Sequence, residues 1–367
     1  MKKSVCITSC LLVIALNIHA QSITPFAIRK GINISAWLSQ SGNTTPAEKK
    51  AYFTEKEVKE LAALGFDHIR LPVDEKQLFN LDGTKKIETF KLVHQVMKWC
   101  KAANMRVIFD CHDLYASREL KAKPGQLSLW ESEKAQLDFI QLWKNFSVEL
   151  KQYPNEWLAY EILNEPVAPD AEQWNSLSNR VISELRKLEP QRVIFLGSNK
   201  FNSVTTFPLL KIPKNDPNIV LTFHFYHPGI LTHYNQASFE GGAGGGGVKL
   251  NYPGKLIPDG EFNRLSVEDK EKLSIQQGTF NKQKLLEKML NPLEIAKRTG
   301  LRVHCGEFGA NFKYPDQKLL VDWITDLTNI FKEKQIPYTV WGYRKQFGVF
   351  DDNKTVKNQQ YLNAIVQ

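Results

Sequence analysis

Short runs rich in Val, Ile, Phe and Leu alternate with longer amphipathic stretches along most of the chain. Short apolar runs fit buried strands, and apolar positions spaced three and four apart fit one face of a helix. On this pattern strands are expected at 29–35 (RKGINIS), 67–73 (DHIRLPV), 105–111 (MRVIFDC), 157–163 (WLAYEIL), 192–197 (RVIFLG), 219–226 (IVLTFHFY), 301–306 (LRVHCG) and 338–342 (YTVWG). Helices are expected at about 88–103, 131–151, 171–188, 279–299, 316–334 and 357–366, with a weak one near 200–212. Thr54 and Glu57 form a capping box ahead of VKELAALG, and Gly65 supplies the stop. Eight strand–helix units predict an α/β fold, a closed (β/α)8 TIM barrel occupying residues 21–367 as a single domain, with its active site at the C-terminal ends of the strands. An open doubly wound sheet is the alternative, but it usually carries a glycine-rich turn after its first strand, and INISAWL has none.

Residues 1–20 depart from this pattern. Lys2 and Lys3, the apolar stretch Cys10–Leu16 and the small Ala20 together read as a cleavable secretory signal, and the stretch is too short to span a bilayer. A periplasmic or secreted protein without a membrane span is therefore expected. Without that segment the formal charge falls from +9 to +7, and no cluster of Lys, Arg and aromatic residues suggests a nucleic-acid groove. Cys100, Cys111 and Cys305 remain, odd in number and irregular in spacing. They read as small buried apolar residues, not as a disulfide framework or zinc cluster.

The expected strands share one kind of ending. The second carries Arg70, the third reaches Asp110 and His112, the fourth runs into Asn164, Glu165 and Pro166, the sixth carries His224 and Tyr226, the seventh reaches Glu307 and the eighth Trp341. Alternation of side chains along a strand sends His224 and Tyr226 one way, and likewise Asp110 with His112 and Cys305 with Glu307. A lone glutamate at a strand end is more often a surface or capping residue, and a lone histidine or tryptophan a core residue. So many polar ends at one mouth, two of them supplying a carboxylate pair, point instead to chemistry. A metal site is not expected, since no HxH, HExxH or acidic loop accompanies these histidines. No cofactor is expected either.

The series IRLPV, IFDCH, ILNEP, HFY, CGEFGA and VWG, in this order, resembles glycoside hydrolase family 5, the cellulase family of retaining (β/α)8 enzymes. The resemblance spans nearly all of 21–367 and is most specific at NEP and GEFG. It implies that Glu165 is the acid/base and Glu307 the nucleophile, with Arg70, His112, Asn164, His224, Tyr226 and Trp341 in supporting, substrate-binding roles. The chemistry agrees with these residue types. A retaining glycosidase needs two carboxyls about 5–5.5 Å apart, one attacking the anomeric carbon and one protonating the leaving oxygen. Arg70 and Tyr226 would keep Glu307 ionised, and the charge of Glu307 would keep Glu165 protonated. Pro166 is expected to restrain Glu165 to extended backbone.

Aromatic rings can cover the apolar faces of sugars, so Trp341 is expected beneath the reacting sugar and Trp37 and Trp130 as flanking platforms. Trp143, Trp157 and Trp174 read as scaffold. The stretch from His227 to about Gly278 is the least regular; its GGAGGGG at 241–247 lacks GK[ST] and is no phosphate loop. Its length suggests a cleft wall. The partner expected is a β-linked polysaccharide or oligosaccharide, with endo-β-1,4-glucan cleavage by a monomer as the first reading. A β-mannanase, xyloglucanase or β-1,3-glucanase is the alternative within the family, and a non-catalytic carbohydrate-binding barrel the alternative outside it.

Overall fold

The computed structural model describes residues 26–42, 45–234, 248–274, 278–314 and 316–367; the expected signal segment and the run 241–247 lie outside them. Its strands are β1 (Lys30–Asn33), β2 (His68–Asp74), β3 (Arg106–Asp113), β4 (Leu158–Glu161), β5 (Ile194–Gly197), β6 (Ile219–Phe225), β7 (Gly254–Lys255), β8 (Thr279–Phe280), β9 (Arg302–Phe308) and β10 (Tyr338–Val340). β1 to β6, β9 and β10 form a closed parallel barrel, in which β10 returns to β1 with Lys30 opposite Tyr338. These eight are the strands that the apolar runs predict. β7 and β8 form a small antiparallel pair outside the barrel.

Period-two alternation decides what each strand does. In β3, Val107, Phe109 and Cys111 join the apolar layer between barrel and helices, while Ile108 joins a second cluster with Phe26, Ile28, Ala159, Val193, Phe195 and Val220 that fills the barrel's N-terminal end. Above that plug lies a polar layer. His68 Nε2 and His304 Nε2 each meet Thr339 Oγ1 at 2.9 Å, and His304 Nδ1 meets Thr222 Oγ1 at 3.3 Å. Buried polar groups are tolerated when they are paired, as these are. Asp110 and His112 continue the inward series toward the mouth. Cys100, Cys111 and Cys305 are free and buried.

The helices follow their sequence signals closely, at Ile87–Ala102, Glu133–Leu150, Ala171–Leu188, Gln317–Glu333 and Gln359–Val366. The Thr54 box forms, with Thr54 N–H donating to Glu57 Oε2 at 2.7 Å, and Gly65 ends the helix at φ +96°. Two expectations fail. The stretch 279–299 divides into Lys282–Lys288 and Leu290–Thr299, because Pro292 has no N–H to donate to the Lys288 carbonyl. Around 200–212 there is only a turn with Lys200 and Phe201 at φ 56° and 66° and one short 3-10 segment. The Asn199 amide bonds the Ala168 backbone at 2.8 and 3.0 Å and takes the chain out of helical geometry.

The described part of 227–278 is packed scaffold. It contains the short helices Gly229–Thr232, Asp259–Arg264 and Val267–Ser274. Leu250, Tyr252, Leu256 and Ile257 are buried, and the Tyr252 hydroxyl donates to Asp326 Oδ2 on helix Gln317–Glu333 at 2.7 Å.

Alternation is broken at one place that matters. Phe223 of β6 stands opposite Cys305, but the next residue, His224, stands opposite Glu307. Gly306 is thus the extra residue of a bulge, which re-aims the strand. Cys305 and Glu307 therefore do not share a face: Cys305 joins the layer beneath the helices, and Glu307 enters the mouth. A Cβ at Gly306 would lie 2.8 Å from Thr222 Oγ1 and 3.3 Å from His224 Nε2. Gly306→Ala is expected to lower stability by about 1–3 kcal/mol through overpacking. Thermal unfolding checks this, and an unchanged Tm would show that the bulge has room for a side chain.

Candidate active site

Arg70 is fully buried at the centre of the mouth. Its Nε and Nη2 bond the two oxygens of Glu161 at 2.7 and 3.0 Å, its Nη1 bonds Asn33 Oδ1 at 2.9 Å and Glu307 Oε1 at 2.7 Å, and Nη2 also bonds Asn164 Oδ1 at 2.9 Å. Asp110 Oδ2 lies 3.1 Å from Nη2. Burial alone would lower the pKa of this guanidinium, but Asp110, Glu161 and Glu307 outweigh it and hold its pKa well above the ordinary value.

Glu307 receives donors on both oxygens, Arg70 on Oε1 and the Tyr226 hydroxyl on Oε2 at 2.9 Å. Burial, then the carboxylate of Glu307, push the Tyr226 phenol upward, so it stays protonated as a donor. Glu165 has a different setting. Its Oε1 meets His224 Nδ1 at 2.9 Å, and Oε2 has no hydrogen bond among the described residues. His224 Nε2 faces the Asn202 amide nitrogen at 3.3 Å, which assigns Nε2 as acceptor and Nδ1–H as donor to Glu165. Burial lowers His224 to about 4, so it is neutral at ordinary pH. Burial likewise raises both carboxyls of the pair. Donors on both oxygens of Glu307, against one on Glu165, favour the ionised form of Glu307 over that of Glu165.

His112 is held by Asp110 Oδ2 at 2.7 Å on Nδ1 and faces the amides of Gln40 and Asn164 at 3.3 and 3.4 Å on Nε2. Burial lowers it to about 3 and raises Asp110 to about 7. The Trp341 ring lies stacked on His112 at 5.5 Å and 7° and lines the cleft.

The cleft has a volume of about 870 Å³, and among its lining residues are His112, Asn164, Glu165, Tyr226, Glu307 and Trp341. Arg70 and His224 stand behind them. Thus six of the supporting residues and both glutamates expected from sequence meet at one mouth. Trp37 does not join them. It is 1% exposed, its indole N–H donates to the Lys49 carbonyl at 2.7 Å, and its ring packs on Phe53. Trp130 is also buried, with its indole N–H on the Arg118 carbonyl at 3.1 Å. Neither is a platform: the chain after β1 turns inward at Trp37, and Ser35, Ala36 and Gln40 line the cleft instead. Phe312 and Phe347 supply further aromatic surface. Of the described part of 227–278, only His233 reaches it.

Sequence reasoning missed Asn33, Glu161 and Asn202. Glu161 was recoverable, since a carboxylate in the middle of an apolar buried strand requires a buried cation. Glu165 also differs from expectation. β4 stops at Glu161, and Glu165 has φ +45°, left-handed and not extended. The loop fixes it there: Asn164 N–H bonds the Cys111 carbonyl at 2.9 Å, and Arg118 Nη1 bonds the Glu165 carbonyl at 2.7 Å.

Glu165, His224 and Glu307 each offer one ligand atom, and these lie within 4.8 Å of one another. The spacing would accommodate a cation, but Arg70 Nη1, 2.7 Å from Glu307, already supplies positive charge to this carboxylate. What the arrangement can do chemically is present one ionised and one protonated carboxyl to a single bond.

A family model for Cellulase (glycosyl hydrolase family 5) matches residues 30–346. Endoglucanase C of Acetivibrio thermocellus is 28% identical over 347 residues, 93% of this chain and 98% of that relative. Cellodextrinase A of Ruminococcus flavefaciens is 27% identical over 286 residues, 77% of this chain and 76% of its own. In fold, the endoglucanase Cel5A of Thermotoga maritima superposes with a TM-score of 0.71 at 22% identity, covering 91% of this chain and 96% of that one. The chain thus belongs to the cellulase family, glycosyl hydrolase family 5, and is a hydrolase of O-glycosyl bonds.

Proposed function

We propose that this hydrolase is a retaining endo-β-1,4-glucanase, exported through the segment 1–20, with Glu307 as nucleophile and Glu165 as acid/base. The observation that carries the reading is the carboxyl pair: oxygens within 4.8 Å of each other, in opposite hydrogen-bonding surroundings. Retaining enzymes separate their carboxyls by about 5–5.5 Å, whereas inverting ones leave about 6.5–9.5 Å for a water. Glu307 attacks the anomeric carbon as Glu165 donates its proton to the leaving oxygen. Esterification of Glu307 removes its charge, so Glu165, having given up its proton, stays ionised; it takes a proton from the water that attacks the anomeric carbon and frees Glu307. Asn164, fixed by Arg70, has its amide N–H groups beside the cleft to donate to the sugar 2-hydroxyl. Trp341 offers its face beneath the ring.

The names of the relatives, endoglucanase and cellodextrinase, support β-glucan as substrate. One Thermotoga maritima Cel5A structure carries mannotriose as substrate, which favours β-mannan as a second reading. Incubation with soluble β-glucans, xyloglucan and β-mannans followed by product sizing tests both; endo action gives a rapid fall in polymer length, and release of only mono- or disaccharide would sink it.

Glu165→Gln removes the acid that protonates the leaving oxygen. A polymer substrate should lose about 10²–10⁴-fold in rate and an activated aryl glycoside much less. Steady-state rates on the two substrates check this, and equal losses would remove Glu165 from the acid role. Glu307→Ala should abolish turnover while substrate still binds. Added azide should then enter below the anomeric carbon and yield the α-glycosyl azide from an activated β-glycoside, identified by NMR; the β-azide would exchange the two assignments.

Activity requires Glu307 ionised and Glu165 protonated, so kcat/KM should be bell-shaped, its acid limb following Glu307 and its basic limb Glu165. Tyr226→Phe takes a donor from the ionised form of Glu307 and makes it harder to ionise. The acid limb should move to higher pH, with turnover down about 10- to 100-fold and the fold intact. A large drop in Tm with an unmoved limb would make Tyr226 structural.

A further inference from the structure

Among the bonds that hold the left-handed backbone at Glu165, the one to its own carbonyl comes from Arg118. Arg118, in the loop between β3 and helix Glu133–Leu150, reaches residues 165–167 with both its side chain and its main chain. Nη1 donates to the Glu165 carbonyl at 2.7 Å, and the Arg118 carbonyl accepts from Val167 N–H at 3.0 Å and from the Trp130 indole at 3.1 Å. Nε is buried without a hydrogen bond, 3.6 Å from Asp113 Oδ1. Trp130, expected from sequence as a sugar platform, acts here as a brace for the loop. A non-glycine residue at positive φ persists when its surroundings over-determine it.

We propose that Arg118 is the positioning residue of the acid/base: it locks the strained backbone at Glu165, so that the carboxyl stays on His224 and opposite Glu307. The proposal rests on the acid/base reading of Glu165. Arg118 does not line the cleft and touches no reacting atom. Its guanidinium also adds positive charge beside the carboxyl. After burial, which raises Glu165, Arg118 is the leading influence in the other direction, ahead of His112 and Arg70. The other groups facing this carboxyl are His224 on β6, Glu307 on β9 and Asp110 on β3. Removal of the Arg118 cation therefore raises Glu165, and the basic limb of kcat/KM moves to higher pH.

The test compares Arg118→Gln and Arg118→Lys with Glu165→Gln on a soluble β-glucan and on a dinitrophenyl β-glycoside. Displacement of a catalytic group by about 1 Å can cost 10²-fold, so Arg118→Gln is expected to lose about 10- to 100-fold on the polymer. It should lose far less on the activated glycoside, and its basic limb should move up. Arg118→Lys keeps the charge, so its limb should stay near the wild-type position while part of the loss on polymer remains. If the glutamine variant does not fold, the lysine variant carries the test through that same split. Equal losses on the two substrates with an unmoved limb, or wild-type kinetics in either variant, overturn the proposal. If Glu165→Gln itself fails to distinguish the substrates, the acid/base reading falls first and the role of Arg118 falls with it.

Discussion

A guanidinium sealed inside a barrel is the constraint around which this mouth is built. Arg70 has five N–H donors and no contact with solvent, and each donor has an acceptor: Glu161 twice, and Asn33, Asn164 and Glu307 once each. Its partners come from β1, β4, β9 and the loop after β4, and Asp110 on β3 adds charge. Removing one partner of such a buried network leaves an uncompensated charge, which is far more costly than the net worth of the pair. The strands are thereby fixed in relation to one another where their C-terminal ends meet. Asn33 extends that grip, since its amide nitrogen reaches the carbonyls of Gly306, Thr339 and Val340 at 3.1–3.3 Å.

The same low-polarity setting acts on both glutamates, so burial alone cannot give them separate tasks. The division comes from hydrogen bonding. Glu307 has a cation and a phenol on its oxygens, whereas Glu165 has one neutral imidazole. An ionised carboxyl gains from the first environment, and a protonated one is tolerated in the second. Two irregular backbone features make these placements possible: the bulge at Gly306, which brings Glu307 inward, and the left-handed Glu165. Strain of this kind survives where packing elsewhere over-determines it. The packed apolar layer between barrel and helices supplies that rigidity.

These irregularities also mark the limit of what could be read from the chain. Strands and helices were legible because period-two and 3.6-residue patterns are local properties. The polar strand ends were legible too, since a barrel gathers them whatever the details of register. A bulge has no period, so alternation put Cys305 and Glu307 on one face when the structure separates them. Pro166 favours extended backbone at Glu165, but the tertiary bonds on this loop, from Arg118 to the Glu165 carbonyl and from Asn164 N–H to the Cys111 carbonyl, override that preference. Trp37 was misplaced for a different reason. Whether a ring just past a strand faces the cleft or the core depends on the return of the following segment, here helix Pro46–Tyr52, whose Lys49 carbonyl takes the indole N–H. Glu161 was visible as a carboxylate inside an apolar strand, whereas Asn33 was visible only to the rule that a buried Arg must be matched by acceptors, which needs the cation to be known as buried.

The reacting groups and the rest of the cleft are built on different principles. The former stand on strands or immediately after them, locked by partners within the barrel. The latter come largely from the segment after β10, with Arg344, Lys345, Gln346, Phe347, Asp351 and Asp352 among them. Those charges are already engaged: Arg344 lies over the Tyr52 ring at 4.4 Å and within 3.4 Å of Asp352, which also bonds Lys345 at 3.0 Å. A wall of paired charges offers donors and acceptors to hydroxyl groups without presenting a strong net field. Charge-assisted hydrogen bonds are stronger than neutral ones, so a neutral polyol can be held by such a wall while attraction of an ion is weak. The two carboxyls are thus held by barrel interactions that tolerate little change, whereas the wall after β10 is held by surface pairs that do not involve Arg70.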